Sequence, residues 1–401
     1  MNLFYSIINI VQLIFLVYFT GSIAYLLIFA VAGCFKRDDI QYITLQKRNI
    51  AIIIPAFKED AVIIEVIESA LKQNYPASSY QIILIADSFK QETLNVIRSL
   101  PITLVEVAFD FSTKAKSLQV ALNYLPDNTD LVLILDADNI MEENFLNKIN
   151  SAAESSYKII QCHRIAKNTN TSFAVLDAIS EEINNNIFRS GHTALGVSSA
   201  LIGSAMVFNI EMFRKYIPKL NAIGGFDKEL ELMILRDKVK IQYLKNAYVF
   251  DEKVQNANVF YKQRKRWIYS QFYFFGRDFL LSIYHLFTHR NFDYFDKTLQ
   301  FSLPPRLILL GTVGFVNILN LFFINQPYQY CWLGLLILIC LTLLISIPRK
   351  FFCVKTLRAL INLPKIFFLM ILILLKIRGS NKGFIHTEHD FYNTSSKTYK
   401  S

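Results

Sequence analysis

Two long stretches of this sequence contain no charged side chain. Residues 1–35 form the first, and the second runs from Leu307 to Pro348 between Arg306 and Arg349. Because about 20 apolar residues cross a bilayer, the first stretch predicts one membrane-spanning helix. The second is interrupted at residues 325–327, which read Asn-Gln-Pro. It therefore predicts a membrane hairpin over residues 307–348, with two helices of about 18 residues each.

Two further regions predict helices that lie on the membrane surface. The apolar run Ile366–Leu375 follows Pro364 and ends before Lys376, so it is about ten residues long and too short to span. An interfacial helix within residues 349–385 fits it better, and a fourth span within residues 359–376 is the alternative. Residues 271–306 are likewise predicted to form interfacial helices, and residues 386–401 form a polar tail.

Basic side chains indicate which side of the membrane is cytoplasmic. They follow both apolar stretches, at Lys36, Arg37, Lys47 and Arg48, and at Arg349, Lys350, Lys355 and Arg358. This pattern predicts a multi-pass protein of the plasma (inner) membrane, with the amino terminus outside and the middle segment and carboxy terminus cytoplasmic. A cleaved signal peptide is the competing interpretation, but the stretch is too long and lacks a basic start.

The middle of the chain predicts an α/β domain over residues 48–270. Short apolar runs alternate with amphipathic helical stretches, for instance 62–73 and 114–125. This alternation favours a mainly parallel, Rossmann-like sheet covered on both faces and inserted between the membrane helices. The predicted strands are Ile50–Ile54, Gln81–Ala86, Ile102–Val107, Leu131–Leu135 and Lys158–Gln161.

Composition supports a membrane protein with anionic partners. Hydrophobic residues make up 53% of the chain and charged residues 18%, against about 25% charged in soluble proteins. The net charge of +10 suits an anionic bilayer surface and an anionic substrate better than nucleic acid. The scattered cysteines predict neither a disulfide framework nor a zinc site; they are Cys34, Cys162, Cys331, Cys340 and Cys353.

Polar side chains follow the predicted strands where ligands bind in parallel sheets. Asp87 follows the second strand, Lys114 and Lys116 open the helix after the third, and Asp136 and Asp138 follow the fourth. Two carboxylates at this spacing can bind Mg²⁺ or Mn²⁺, and phosphate oxygens then complete the coordination of the cation. Lysines nearby can bind a diphosphate. Taken singly, each feature also fits a helix cap, a solvated helix face or a turn.

Five motifs in the middle segment resemble those of glycosyltransferase family 2. They are the opening Ile52-Ile-Ile-Pro-Ala-Phe-Lys-Glu59, Asp87, Thr113-Lys-Ala-Lys-Ser-Leu-Gln119, Asp136-Ala-Asp138 and Gln263-Arg-Lys-Arg-Trp267. Together with the flanking spans they resemble the membrane-bound branch that includes cellulose, hyaluronan and poly-N-acetylglucosamine synthases. The resemblance covers about residues 50–270 and implies a GT-A fold.

The resemblance also implies a role for each matching residue. It implies an inverting transfer from a nucleotide-diphosphate sugar, with Asp227 of Gly224-Gly-Phe-Asp227 as general base. Asp138 and Asp136 would hold Mg²⁺ or Mn²⁺. The donor would be bound by Pro55, Ala56, Glu59, Asp87, Lys114, Lys116, Asp136, Gln263 and Arg266. The acceptor would be bound by Trp267, Gly203 and Ser204; for Gly203 and Ser204 a tight turn without a ligand is the alternative.

The sequence departs from the family pattern in two places. Phe226 stands before Asp227 where the family has glutamate, so Glu229 and Glu231 are alternative bases. The segment after Asp87 lacks a further aspartate that soluble members carry. Outside the motifs, His386 and His389 have metal-ligand side chains, but nothing nearby completes a zinc site, and a structural or gating role is expected.

Three functions remain open on the sequence. The first is synthesis of a cell-surface polysaccharide, for which three spans are too few unless a homo-oligomer or a partner membrane subunit completes a channel. The second is addition of one sugar to a membrane lipid. The third is a non-catalytic nucleotide-sugar-binding protein, which the intact motifs disfavour. A transporter is disfavoured because the predicted spans contain no ionisable Asp, Glu, Lys, Arg or His.

Overall fold

The computed structural model describes residues 2–36, 46–155, 157–322 and 328–376. The predicted hairpin break at 325–327 and the tail with His386 and His389 lie outside the described residues.

Eight strands form one sheet in the order β3-β2-β1-β4-β7-β6-β8-β5. Strands β1 to β4, β6 and β8 run in one direction, and β5 and β7 run in the other. The expectation of an α/β domain with a mainly parallel sheet is therefore confirmed. The strands are β1 (Ile50–Phe57), β2 (Tyr80–Asp87), β3 (Thr103–Val107), β4 (Leu131–Ile134), β5 (Ile140–Met141), β6 (Ile159–Ala166), β7 (Met206–Asn209) and β8 (Ile241–Asp251).

Helices cover the sheet and continue into the apolar ends of the chain. Around the sheet lie α2 (Ile63–Leu71), α3 (Gln91–Ile97), α4 (Lys114–Ala121), α5 (Phe145–Ala152), α6 (Ser172–Asn184), α7 (His192–Ala194), α8 (Ile210–Tyr216) and α9 (Phe226–Arg236). A π-helical segment, Asn185–Gly191, joins α6 to α7. The remaining helices are α1 (Asn2–Phe35), α10 (Ala257–His289), α11 (Phe292–Ser302), α12 (Arg306–Phe322), α13 (Gln329–Ser346), α14 (Val354–Leu360) and α15 (Leu363–Leu375).

The central strand β1 explains why the sheet is buried on both faces. Its residues alternate between two apolar clusters: Ile52 and Ile54 pack in one, and Ala51 and Ile53 pack in the other. A continuous apolar run is the pattern of a parallel strand covered by helices on both sides. The polar residues at the strand ends are thus carried on a rigid base.

Two described helices, α1 and α13, are long and apolar enough to cross a membrane. Helix α12 has 17 residues and meets the same test only together with α11, from which it is bent by 51°. Helices α14 and α15 form a second bent pair, at 46°. By length and composition the described chain therefore offers two spans, or up to four if each bent pair is one span.

Candidate active site

The carboxyl ends of β1 and β2 turn sharply at one edge of the sheet. Phe57 and Asp87 are register partners at the ends of these strands. The next residues, Lys58 and Ser88, adopt the left-handed conformation with φ of 55° and 59°, which few non-glycine residues adopt. The Lys58 N–H donates to the Asp87 carbonyl at 3.1 Å and holds the first turn. These turns stop both strands at the same level, where Asp87 opens onto a cavity.

A cavity of about 680 Å³ lies at this edge. Most of the residues that the sequence predicts to bind donor, acceptor or metal, or to act as base, line this cavity. These are Pro55, Ala56, Glu59, Asp87, Lys114, Asp136, Asp138, Gly203, Asp227, Gln263, Arg266 and Trp267. They come from segments up to about 200 residues apart, so only the fold brings them together.

Two of the predicted residues do not line the cavity. The Lys116 side chain lies on the exposed face of α4 and donates to the Phe111 carbonyl at 2.9 Å. Ser204 is fully buried; its hydroxyl accepts from the Asp136 N–H at 2.9 Å and donates to the Asn139 side chain. Ser204 therefore holds the Asp136-Ala-Asp138 turn, whereas its neighbour Gly203 lies at the cavity.

The Gly203 backbone makes a close approach to the cavity wall. Its φ is +85°, and a Cβ there would lie 3.4 Å from the Phe226 ring and 3.7 Å from the Asp227 Cβ. Its carbonyl accepts from Lys114 Nζ at 2.6 Å. A glycine is favoured here because its φ lies in the left-handed region, which residues with a side chain rarely adopt.

Asp87 presents an acceptor oxygen that the described residues leave without a partner. The side chain is 1% exposed, and Ser88 Oγ donates to its Oδ1 at 2.9 Å. Within the described part of the chain, Oδ2 has no hydrogen-bond partner. A buried acceptor is normally satisfied, so this oxygen suits an N–H or O–H group of a ligand.

Asp136 and Asp138 differ in their surroundings. Asp136 pairs with Lys114, and Arg164 Nη1 lies 3.9 Å from its Oδ2. Asp138 is buried and is held by hydrogen bonds, from Asn139 Nδ2 to Oδ1 at 3.0 Å and from the Glu252 N–H to Oδ2 at 3.3 Å. Each carboxylate oxygen has more than one lone pair, so Asp138 keeps the capacity to bind a cation.

The donor set fits a hard divalent cation that shares its coordination with a ligand. Eleven carboxylates and seven lysines or arginines line the cavity, so an added cation would be needed to balance a bound diphosphate. Among the described residues no group of three or more His, Cys, Asp or Glu side chains forms a metal site by itself. Asp138 and Asp136 would therefore need phosphate or water oxygens to complete an octahedral shell.

Asp227 is better placed to act as a base than the two alternative carboxylates. Glu229 Oε2 accepts from the main-chain N–H groups of Asn221 and Ala222 at 2.9 and 2.8 Å. Glu231 is 1% exposed, and its Oε1 lies 2.8 Å from Lys297 Nζ. Burial raises the pKa of Glu231 despite this lysine. Asp227 is half-buried at the first turn of α9 and lines the cavity.

The first turns of α10 carry the Gln263-to-Trp267 motif into the cavity. Burial lowers the pKa of Arg266, and the opposing charges of Asp227 and Asp136 act against this shift. The Arg266 cation thus lies close enough to Asp227 and Asp136 for both carboxylates to act on it. Trp267 packs against Arg264, whose guanidinium carbon lies 4.3 Å from the ring centroid, and Arg264 pairs with Asp177 of α6.

A buried ionic cluster in the cavity wall was not predicted from the sequence. Glu181 of α6 lies 3.1 Å from Arg164, 3.4 Å from Arg189 and 3.7 Å from Lys253. Burial raises the pKa of Glu181, but these three cations outweigh it and hold the pKa below its ordinary value. Arg164 lies near the end of β6 and Lys253 just beyond β8. The predicted strand Lys158–Gln161 ends three residues before Arg164, so the strand-end criterion that selected Asp87 did not find this cluster.

A family model described as "Glycosyltransferase like family 2" matches residues 47–270. The chain belongs to this family. Sequence comparison finds no match among curated proteins.

One solved structure shares the fold of this glycosyltransferase domain. The mannosyltransferase PcManGT from Pyrobaculum calidifontis, solved with GDP-Man and Mn²⁺, matches 82% of this chain and 97% of its own, with 14% identity and a TM-score of 0.50. S. aureus TarS 1–349 matches 75% of this chain and 82% of its own, with 13% identity and a TM-score of 0.39. The PcManGT match confirms the expected GT-A-like fold; at this identity it shows the fold alone. The membrane-bound branch stays a prediction.

Proposed function

We propose that this chain is an inverting, metal-dependent glycosyltransferase. Its donor would be a nucleotide-diphosphate sugar, specifically a UDP-sugar, and its acceptor would be a hydroxyl of a growing polysaccharide. In this proposal it is a multi-pass protein of the plasma membrane with its cavity on the cytoplasmic side. One observation carries the proposal: the Asp136-Ala-Asp138 motif, Asp227 and the Gln263–Trp267 motif line a single cavity. Family membership and the GT-A-like fold support it.

The residues of the cavity have complementary roles in a direct displacement. The acceptor hydroxyl must lose its proton as it attacks the anomeric carbon, and Asp227 would accept that proton as general base. Lys114 and Arg266 would bind the diphosphate oxygens and hold the leaving group in line. Asp87 Oδ2 would accept a hydrogen bond from the nucleotide base, and Trp267 would give the acceptor an aromatic face.

Asp138 and Asp136 would hold Mg²⁺ or Mn²⁺ together with the donor phosphates. A cation held by these carboxylates would offset the negative charge that builds up on the leaving diphosphate. A related structure, PcManGT, was solved with Mn²⁺. The protein itself would fix the positions of the two carboxylates. Ser204 and Asn139 do this through the hydrogen bonds described above.

Addition of a single sugar to a membrane lipid is the second candidate. The observation that favours it is that the cavity wall extends to the apolar helices. Phe188 of the π-helical segment lines the cavity and also packs in the apolar cluster that contains residues of α1, α12 and α13. Phe188 thus lies between the cavity and the helices that are candidates for membrane spans.

The size of the product separates these two candidates. Full-length protein in sealed inside-out vesicles would be given labelled UDP- or GDP-sugars with Mn²⁺ or Mg²⁺. Long labelled carbohydrate would support polysaccharide synthesis, and one sugar on an organic-soluble product would support a lipid acceptor. A product that keeps the anomeric configuration of the donor, read by proton NMR, would exclude the inverting mechanism, and transfer only in right-side-out vesicles would exclude the proposed orientation.

Replacement of Asp138 by alanine is expected to weaken donor binding only when metal is present. Asp138 supplies a carboxylate to the cation but makes no direct contact with the diphosphate in this proposal, so the dissociation constant should rise about tenfold or more with Mn²⁺. Without metal it should equal that of the wild type. Calorimetric titration with UDP and GDP, in Mn²⁺ and in EDTA, makes the comparison. The same Mn²⁺ dependence in both proteins would disprove the metal assignment.

Lys114 and Lys116 provide a matched pair of substitutions. Lys114→Ala removes a cation from the cavity beside Asp136, and Lys116→Ala removes one from the exposed face of α4. We expect the first to weaken nucleotide-diphosphate binding about tenfold, because it deletes a charged hydrogen bond. The second should stay within twofold of the wild type. Equal losses in the two variants would mean that Lys116 also reaches the donor.

A further inference from the structure

The last third of α1 is packed against the catalytic domain through a polar contact. Tyr25 Oη donates to Asp296 Oδ1 of α11 at 2.7 Å and lies 2.9 Å from His192 Nε2. Asp296 is 2% exposed, and His192 is fully buried. Hydrogen bonds between helices help to hold a membrane helix in place. This one also links α1 to Asp296 and His192, which contact residues of the cavity wall.

His192 connects this contact to the π-helical segment that forms one cavity wall. Its Nδ1 lies 2.7 Å from the Ile187 carbonyl, which can only accept, so Nδ1 carries the proton. The ring stacks on Phe29 of α1 with centroids 3.7 Å apart. Gly191 lies so close to α1 that an added Cβ would be 2.0 Å from the Phe29 carbonyl oxygen. Helix α1 therefore holds the segment that presents Phe188 and Arg189 to the cavity.

Asp296 connects the same contact to a second set of cavity-lining residues. Gln300 Nε2 donates to Asp296 Oδ2 at 2.9 Å and lies 3.0 Å from His192 Nε2. Lys297 Nζ lies 3.4 Å from Gln300 Oε1 and 2.8 Å from Glu231 Oε1. Lys297 and Gln300 both line the cavity, and Glu231 is one helical turn beyond the candidate base, Asp227. The hydrogen bonds thus run without a break from α1 to the turn after Asp227.

We propose that Lys297 and Gln300 form the acceptor-binding wall of the cavity and that Tyr25 is a positioning residue, which fixes this wall through Asp296 and His192. The inference rests on the proposed transferase function and names residues that the family motifs do not include. The donor side is built from strand ends and the start of α10, whereas Lys297 and Gln300 lie on α11, and Lys297 contacts Glu231 one turn beyond the candidate base. Loss of the Tyr25 hydroxyl should therefore affect the acceptor and leave the donor site intact.

Paired substitutions of two α1 tyrosines test the proposal. Tyr25→Phe removes the hydroxyl at the network and keeps the ring beside Phe29, and Tyr18→Phe removes a hydroxyl that donates to the Ser302 carbonyl outside it. Gln300→Ala removes the wall amide and leaves the Tyr25–Asp296 bond in place. The acceptor probe is the fraction, organic-soluble or carbohydrate, that carries the label in the wild-type reaction. Three quantities are measured: donor dissociation constant, donor hydrolysis without acceptor, and the acceptor concentration at half-maximal transfer.

We expect Tyr25→Phe and Gln300→Ala each to raise the half-maximal acceptor concentration about fivefold to tenfold. Donor affinity and donor hydrolysis should be unchanged, and Tyr18→Phe should behave as the wild type. If Tyr25→Phe does not fold, Gln300→Ala alone decides whether the wall binds acceptor. An unchanged acceptor response, or an equal loss of donor affinity, would overturn the inference. Absence of any transfer by the wild type would instead overturn the proposed function, and the inference with it.

Discussion

Asp227→Asn is expected to abolish sugar transfer and to leave metal-dependent nucleotide binding near that of the wild type. The amide keeps the size of the side chain but cannot accept the proton of the acceptor hydroxyl. General-base catalysis contributes about 10²–10⁴-fold in rate, so transfer should fall by about that factor. The two nearby carboxylates should not replace it, because main-chain N–H groups hold Glu229 and Lys297 holds Glu231. Initial transfer rates and calorimetric binding of the nucleotide measure the two effects separately.

Asp110→Asn is the matched control for this experiment. It removes one negative charge from an exposed position in the connection before α4 and should leave the transfer rate unchanged. Full activity in Asp227→Asn would move the base to Glu229 or Glu231. A parallel loss of nucleotide binding would mean that Asp227 holds the donor and not the acceptor proton.

Glu181→Ala is expected to destabilise the protein strongly. It would remove the carboxylate that lies 3.4 Å from Arg189, whereas Lys253 and Arg164 would keep Asp251 at 2.6 and 3.7 Å. Removal of one partner from a buried ionic cluster costs about 3–5 kcal/mol, because uncompensated charge stays buried. The midpoint of thermal unfolding in detergent should therefore fall by several degrees or more, and cavity-dependent nucleotide binding should weaken with it.

Glu106→Ala gives the corresponding surface comparison. Glu106 pairs with Arg98 at 2.6 Å, but both side chains are more than 40% exposed. Exposed pairs contribute about 0–1 kcal/mol, so the midpoint should hardly move. Equal shifts for Glu181→Ala and Glu106→Ala would show that the cations around Glu181 find other partners or water.

The sheet could be predicted from sequence where strands are long and apolar. The runs at Ile50–Ile54 and Gln81–Ala86 are buried on both faces, and such runs identify parallel strands directly. The two-residue β5 and the antiparallel β7 were not predicted as strands. Short strands carry little local pattern, and their pairing depends on residues far away in the chain, as when Met206 pairs with Ile134. Distant pairing is what sequence patterns describe least well.

The residues of the candidate site likewise fall into those that sequence patterns predict and those that only the fold reveals. Asp87, Asp136 and Asp138 follow strands, so their common edge could be predicted. Lys114 and Lys116 could have been separated as well, because residues two apart on a helix point in nearly opposite directions. The Tyr25–Asp296 contact has no local signal, since 271 positions separate the two residues. Only packing of α1 on the catalytic domain reveals it.

Nucleotide release by the full-length protein in membranes, compared with that of Asp227→Asn, tests directly whether the cavity is a transferase site with Asp227 as its base. A panel of UDP- and GDP-sugars would be supplied with Mn²⁺ or Mg²⁺ and with native membrane extract as acceptor. We predict that one donor gives release that requires the metal, that the label appears in a larger product, and that both signals disappear in Asp227→Asn. Equal release by the two proteins, or none from any donor by folded wild-type protein, would contradict a transferase site built on Asp227.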